Sequence, residues 1–200
     1  MNKAWLIVSK KEMTKIWQNG KFVPVTIVQI HPQEIIRFKT EEKDGYLAAV
    51  VWVDKKELKK DRWQKTQYSK TIEFRNIDEN FVNEYKTWTN MDINLLEGVK
   101  MVNIQGISKG KGFQWVMKRF HAKWGPKTHG SKFHRQIWSL WNRKPRRVQK
   151  GHPHAGRMWG EQITLKNIKI IDKINNKDEQ LLLLKWSIPG SYNWFIKLFA

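Results

Sequence analysis

Residues 106–135 read GISKGKGFQWVMKRFHAKWGPKTHGSKFHR, thirty positions with eight Lys or Arg and no Asp or Glu. The absence of acids continues to residue 160. Segment 106–160 holds 14 basic residues and no acidic one, against 18 and 14 in residues 1–105 and six and four in residues 161–200. A net charge of +20 on 200 residues is therefore concentrated, with +14 of it in about a quarter of the chain. The same segment carries eight of the twelve Gly, three of the six Pro and five of the six His, with few runs of helical or alternating periodicity. It is predicted to be irregular chain. An irregular stretch of that length has a place in a compact domain only if it is functional or disordered. Phe113, Phe120 and Phe133, interleaved with Trp among the bases, argue against plain disorder.

Outward from this segment the pattern changes. Phe22–Ile30, Tyr46–Val53, Val99–Ile104, Ile163–Ile171, Leu181–Ile188 and Trp194–Phe199 are short runs of β-branched, aromatic and other apolar residues, with Gly, Pro or Asn commonly nearby, and read as strands. Asn19-Gly20 and Asp44-Gly45 are hairpin-type turn signals, and Asp78–Tyr85 can form a helix because acids precede an apolar pattern. The expected fold is mainly β: a small β-barrel body formed by 1–105 and 161–200, with a small insertion near 55–95 and a minor helix. The basic extension 106–160 is inserted between strands. No internal repeat is evident.

Composition narrows the chemistry. A sequence pI near 10.1 calls for a polyanionic partner. With no Cys there is no disulfide, zinc finger, iron–sulfur cluster or thiol nucleophile, which suits a reducing compartment. The apolar run Ala4–Val8 is too short for a signal-peptide core, and no run approaches the length of a membrane span, so a cytoplasmic location is expected.

Gly106 to Phe113 invites comparison with a phosphate-binding loop, yet only three residues separate Gly106 from Gly110, and Gly112 stands where a magnesium-binding hydroxyl belongs. Backbone amides with Lys109 and Lys111 suit RNA phosphates better. His152 and His154 are spaced as H-x-H but have no Cys, and no acid between 98 and 160, to complete a metal site. Ser108, Ser131 and Ser139 share the segment with several His but have no orienting acid by any motif. No catalytic residue, cofactor or metal is expected. Lys and Arg to neutralise phosphates, Gly for close backbone approach and rings for unpaired bases make up a segment that folds onto RNA. A nucleic-acid-processing enzyme or remodelling factor, holding substrate with the same segment, is the alternative. A membrane-surface protein would need an amphipathic helix that the Gly and Pro density opposes.

The order GISKGKGFQ, VMKR and GPKTHGSKFHR resembles the family of the third protein of the bacterial large ribosomal subunit. The resemblance continues through Asn142-Arg143 to Ala155-Gly156-Arg157-Met158. It takes in Lys10 to Ile16, Pro24-Val25-Thr26, Asp44-Gly45-Tyr46, Glu73-Phe74-Arg75 and Ile188-Pro189-Gly190. It implies a structural ribosomal protein that binds large-subunit (23S) rRNA and nucleates subunit assembly, with neighbouring ribosomal proteins as further partners. Its β-barrel body would sit on the subunit surface and its extension would reach toward the peptidyl transferase centre. Catalysis, a membrane and a small-molecule substrate are not implied. Phosphate contacts then fall to Lys109, Lys111, Lys118, Arg119, Lys123, Lys127, Lys132, Arg135, Arg143, Lys144, Arg146, Arg147, Lys150 and Arg157. His129 and His134 would supply shape-fitting polar contacts. Segment Asn142–Lys150 is shortened against the common pattern, Asn142 stands where some members carry a methylated Gln, and Val8 and Glu12 stand at usual Gly positions.

Twelve Trp in 200 residues is several times the ordinary share. By the resemblance, Trp5, Trp52, Trp115, Trp124, Trp138, Trp141, Trp159 and Trp186 occupy positions that are glycine in the family, and so do Trp63, Trp88 and Trp194. Trp17 is left as the aromatic that belongs. Two explanations stand. Either UGA codons that some bacterial lineages read as glycine have been written as tryptophan, or the rings stack on or wedge between bases, worth about 1 to 3 kcal/mol per base.

Overall fold

The computed structural model describes residues 5–57, 66–75, 77, 79–137, 139, 144, 146–147, 149–176 and 179–200. Its strands are β1 (Trp5–Gln18), β2 (Lys21–Ile30), β3 (Gln33–Lys39), β4 (Ala48–Glu57), β5 (Thr66–Arg75), β6 (Met101–Ile107), β7 (Phe113–Gln114), β8 (Gly156–Arg157), β9 (Gln162–Asn175), β10 (Gln180–Lys185) and β11 (Phe195–Phe199). Among the described residues there are also three short helices, α1 (Glu41–Asp44), α2 (Glu79–Glu84) and α3 (Val116–Arg119), and a 3-10 turn at Ile93–Leu96. The chain is mainly β, as the sequence predicts. Contacts divide it into two compact units, 1–107 with 162–200, and 108–161.

In the first unit six antiparallel strands close a barrel in the order β1-β11-β6-β9-β10-β2, with β2 returning to β1. Closure leaves no free edge in that sheet. The β1–β2 turn is Asn19-Gly20, both at positive φ (50° and 74°), between the paired residues Gln18 and Lys21. That is the two-residue turn whose twist matches the strands. Leu6, Ile7 and Val8 are all fully buried. Since side chains alternate faces, both sides of β1 are covered there. One core runs from barrel residues such as Val28, Ile104, Leu182 and Leu198 to Ile35, Val51 and Phe74 of the three-stranded sheet β3-β4-β5.

The β3 edge is occupied by the 88–91 segment: the Ile35 amide donates to Thr89 O (3.2 Å), the Trp88 amide to Ile35 O (2.6 Å) and the Met91 amide to Gln33 O (3.0 Å). The buried Gln33 side chain accepts the Ile7 amide (2.9 Å) and donates to Ile7 O (3.3 Å). On β5, Glu73 pairs with Lys39 (2.8 Å) and Arg75 (2.9 Å). The Lys39 ammonium first, and then the Arg75 guanidinium, hold the Glu73 carboxyl at about 2. Lys197, which donates to Glu73 O (2.8 Å), is pushed below its ordinary value by burial.

Five strands differ from expectation: β1, β3 and β5 are not among the predicted runs, and the two-residue strands β7 and β8 lie in the segment expected to be irregular. In β1 only the start is apolar and buried, while 12–15, 17 and 18 are exposed, so the pairing beyond the bulge at Lys10/Met13 leaves no alternation to read. Asp44-Gly45 is not a hairpin turn: Gly45, at φ 78°, donates its amide to Glu41 O and caps α1, an ordinary left-handed helix end. The expected helix at 78–85 is α2. No described helix is long and apolar enough to cross a membrane.

Candidate nucleic-acid interface

The second unit, 108–161, starts as a narrow stem. The Ser108 amide donates to Glu161 O (2.9 Å), the Lys111 amide to Met158 O (3.0 Å) and the Met158 amide to Gly112 O (3.0 Å). β7 then pairs with β8 through Phe113↔Arg157 and Gln114↔Gly156. Buried Ser108 accepts the amides of Gly160 (3.0 Å) and Glu161 (3.3 Å) on its Oγ. Its hydroxyl is a fastener of the stem. The Gly-rich octet is thus the end of β6, five residues outside any strand and the first residue of β7, so its loop leads into a strand where a nucleotide-binding loop leads directly into a helix.

After the stem comes the single turn α3, with Val116 buried at its start. Arg119 in that turn donates from Nη1 to His154 O (2.9 Å). Residues 117–137 surround a cleft of about 710 Å³ lined by Met117, Lys123, Trp124, His129, Lys132 and Phe133 among others. Backbone meets backbone beside it, since a Cβ on Gly125 would lie 1.9 Å from Phe133 O; only glycine fits such an approach. His134 Nδ1 lies 3.0 Å from Pro126 O, and the Arg135 guanidinium sits 5.0 Å from the centre of the Trp124 ring.

The cations expected to meet phosphate are placed as follows. Lys109, Lys111, Lys118, Lys123, Lys127, Lys132, Arg135, Lys144, Arg146, Arg147, Lys150 and Arg157 are exposed, as are His129 and His134. Lys123, His129 and Lys132 share the cleft, and Lys111 and Arg157 share the stem. Arg119 is half-buried and spends its guanidinium inside the unit. Arg143 lies outside the described residues, as do Trp138 and Trp141. With no carboxylate in 106–160, the exposed cations there have no counter-charge of their own segment. Phe113, Trp115, Phe120, Trp124, Phe133 and Trp159 are exposed as well, an arrangement that offers charge and flat apolar faces together.

His152 and His154 stand with ring centres 6.0 Å apart, and His152 Nδ1 and His154 Nε2 are buried with no hydrogen-bond partner. Among the described residues no group of three or more His, Cys, Asp or Glu could hold a metal ion. Sequence reasoning missed the fastening roles of Ser108 and Arg119. Their partners are 53 and 35 residues away, and no local pattern marks such pairs.

The profile of the family described as Ribosomal protein L3 matches residues 65–188. The chain is 34% identical over 193 residues to the large ribosomal subunit protein uL3 of Oceanobacillus iheyensis, covering 93% of this chain and 91% of that one. It is 37% identical over 198 residues to the protein of the same name from Borreliella burgdorferi strain ZS7, covering 96% and 95%. To that of Streptococcus pyogenes serotype M1 it is 34% identical over 194 residues, covering 93% and 91%.

Proposed function

The chain belongs to the ribosomal protein L3 family, and on that premise we propose that residues 106–160 bind large-subunit (23S) rRNA. As a member of that family the protein is a structural constituent of the large ribosomal subunit, not an enzyme. The alternative of a nucleic-acid-processing enzyme falls with that assignment.

One observation carries the rRNA reading. Twelve of the fourteen cations in 106–160 are described and exposed, on a segment without a single acid. Side chains so placed repel one another until a polyanion neutralises them, and RNA phosphates do so with release of counterions. The exposed Phe113, Phe120 and Phe133 rings add flat apolar faces on which RNA bases can stack. The same reading gives the segment a role in early subunit assembly and a reach toward the peptidyl transferase centre, with the barrel body beside neighbouring ribosomal proteins.

The test is binding of the full chain to 23S rRNA at rising salt. If eight cations engage phosphate, log K falls with log salt at a slope of about −6 to −7. A slope near zero overturns the proposal.

A further inference from the structure

Eight described non-glycine residues have positive φ: Asn19, Asn167, Asn193, His121, His129, Trp88, Trp159 and Trp186. Asn and His are the side chains that tolerate this region, whereas in a bulky residue it is a genuine outlier. Three of the nine described Trp are such outliers (φ 69°, 60° and 74°), where a few per cent of residues is the ordinary rate.

Each ring makes one surface contact, Trp88 edge-on to Trp52 at 5.9 Å, Trp159 with Lys111 Nζ at 5.4 Å and Trp186 with Lys185 Nζ at 5.9 Å. At exposed sites such contacts are worth less than a strained backbone costs. Trp88, Trp159 and Trp186 are 59%, 41% and 60% exposed. What is fixed at each place is backbone. The Trp186 amide donates to Pro24 O (2.9 Å) and its carbonyl accepts Thr26 Oγ1 (2.6 Å). The Trp88 amide donates to Ile35 O (2.6 Å). Trp159 precedes Gly160, itself at φ 82°, in the stem that Ser108 fastens. A left-handed backbone fixed by its surroundings at 88 and 186, next to a second left-handed residue at 159, with a mostly exposed side chain at each, is the specification of glycine. A different misfit appears at Trp5, whose indole N–H is buried without an acceptor, although a buried indole ordinarily finds one. Trp17 is the contrast. It lies at ordinary φ in β1, with its ring edge-on to Phe22 at 4.7 Å.

We infer that positions 88, 159 and 186 carry glycine in the protein as its own cell makes it, the codons written here as Trp being UGA read as glycine, while Trp17 is a true tryptophan. One consequence reaches the RNA-binding segment. Lys111 Nζ now lies 5.4 Å from the centre of the Trp159 ring; with glycine there, Lys111 loses that partner and is free for phosphate.

The experiment is peptide mass spectrometry of the native organism, run in parallel on a whole-cell digest and on purified large ribosomal subunits. Peptides covering 17, 88, 159 and 186 are expected with Trp mass at 17 and Gly mass at the other three. Trp mass at 88, 159 and 186 overturns the inference wherever the protein is found. Its absence from the subunits counts against the ribosomal reading alone, because the whole-cell peptides still report the residues.

Discussion

Ser108 and Glu161 close the base of the basic extension, the Ser108 amide donating to Glu161 O at 2.9 Å while Ser108 Oγ accepts the Glu161 amide at 3.3 Å. Two residues separated by 53 positions thereby meet at a single junction. The Gly160 amide bonds to the same hydroxyl at 3.0 Å.

Replacing Ser108 with Ala removes an acceptor shared by two amides. The expected cost is about 1 kcal/mol, felt locally because two part-buried amides lose the acceptor they share. Hydrogen exchange is the measurement: the amides of Lys111, Met158 and Gly160 lose protection while the barrel amides keep theirs. Unchanged exchange at the stem refutes the fastening role.

Lys132 and Arg119 are expected to respond differently to neutralisation. Lys132→Gln lowers the salt slope of rRNA binding by about 0.7 to 0.9 and leaves the fold intact, since Lys132 is exposed. Arg119→Gln loses the bond to His154 O and loosens exchange around α3 and β8. Circular dichroism and salt titration of both variants separate charge loss from structural loss. Equal behaviour of the two contradicts the assignment.

Glu73 gives the three-stranded sheet an acid limb. Its carboxyl, ordinarily 4.5, is held at about 2 by Lys39 and Arg75, so its folded value lies below its unfolded one. The contribution is complete above the unfolded value and drains as pH falls from about 4.5 toward 2. The group is partly exposed, so the whole effect stays under about 1 kcal/mol. In urea melts of wild type and Glu73→Gln, the gap between them narrows from about pH 6 to pH 3. A gap that widens on acidification is the wrong sign.

Trp186→Gly and Trp17→Gly are expected to have opposite signs. At 186, relief of about 1 to 3 kcal/mol of backbone strain exceeds the roughly 0.5 to 1 kcal/mol that glycine costs in unfolded-chain freedom. Trp17→Gly instead loses the Phe22 contact and puts Gly inside a strand, destabilising by about 1 to 2 kcal/mol. Thermal melts of the recombinant chain check both.

The legibility of the chain follows from where its information lies. β2, β4, β6, β9, β10 and β11 were readable because their apolar residues are local and bounded by turn residues. Asn19-Gly20 was readable because positive φ at two neighbours needs those residue types. β1 was hidden, as its second half pairs only in an exposed ladder, and hydrogen bonds between backbones leave no mark on side-chain pattern. Asp44-Gly45 was ambiguous because left-handed glycine ends a helix as readily as it turns a hairpin.

The sequence by itself determined the class and the chemistry: a β body, and one segment of cations without acids whose charge asks for a polyanion. Charge and alternation are properties of neighbours along the chain, and they survive without coordinates. Only the tertiary structure decided that six strands close a barrel and that Ser108 and Arg119 serve the segment's own shape. It also decided that three of the described tryptophans stand on left-handed backbone of the kind glycine takes. Those facts depend on distant partners and on dihedral angles, which the order of residues does not display.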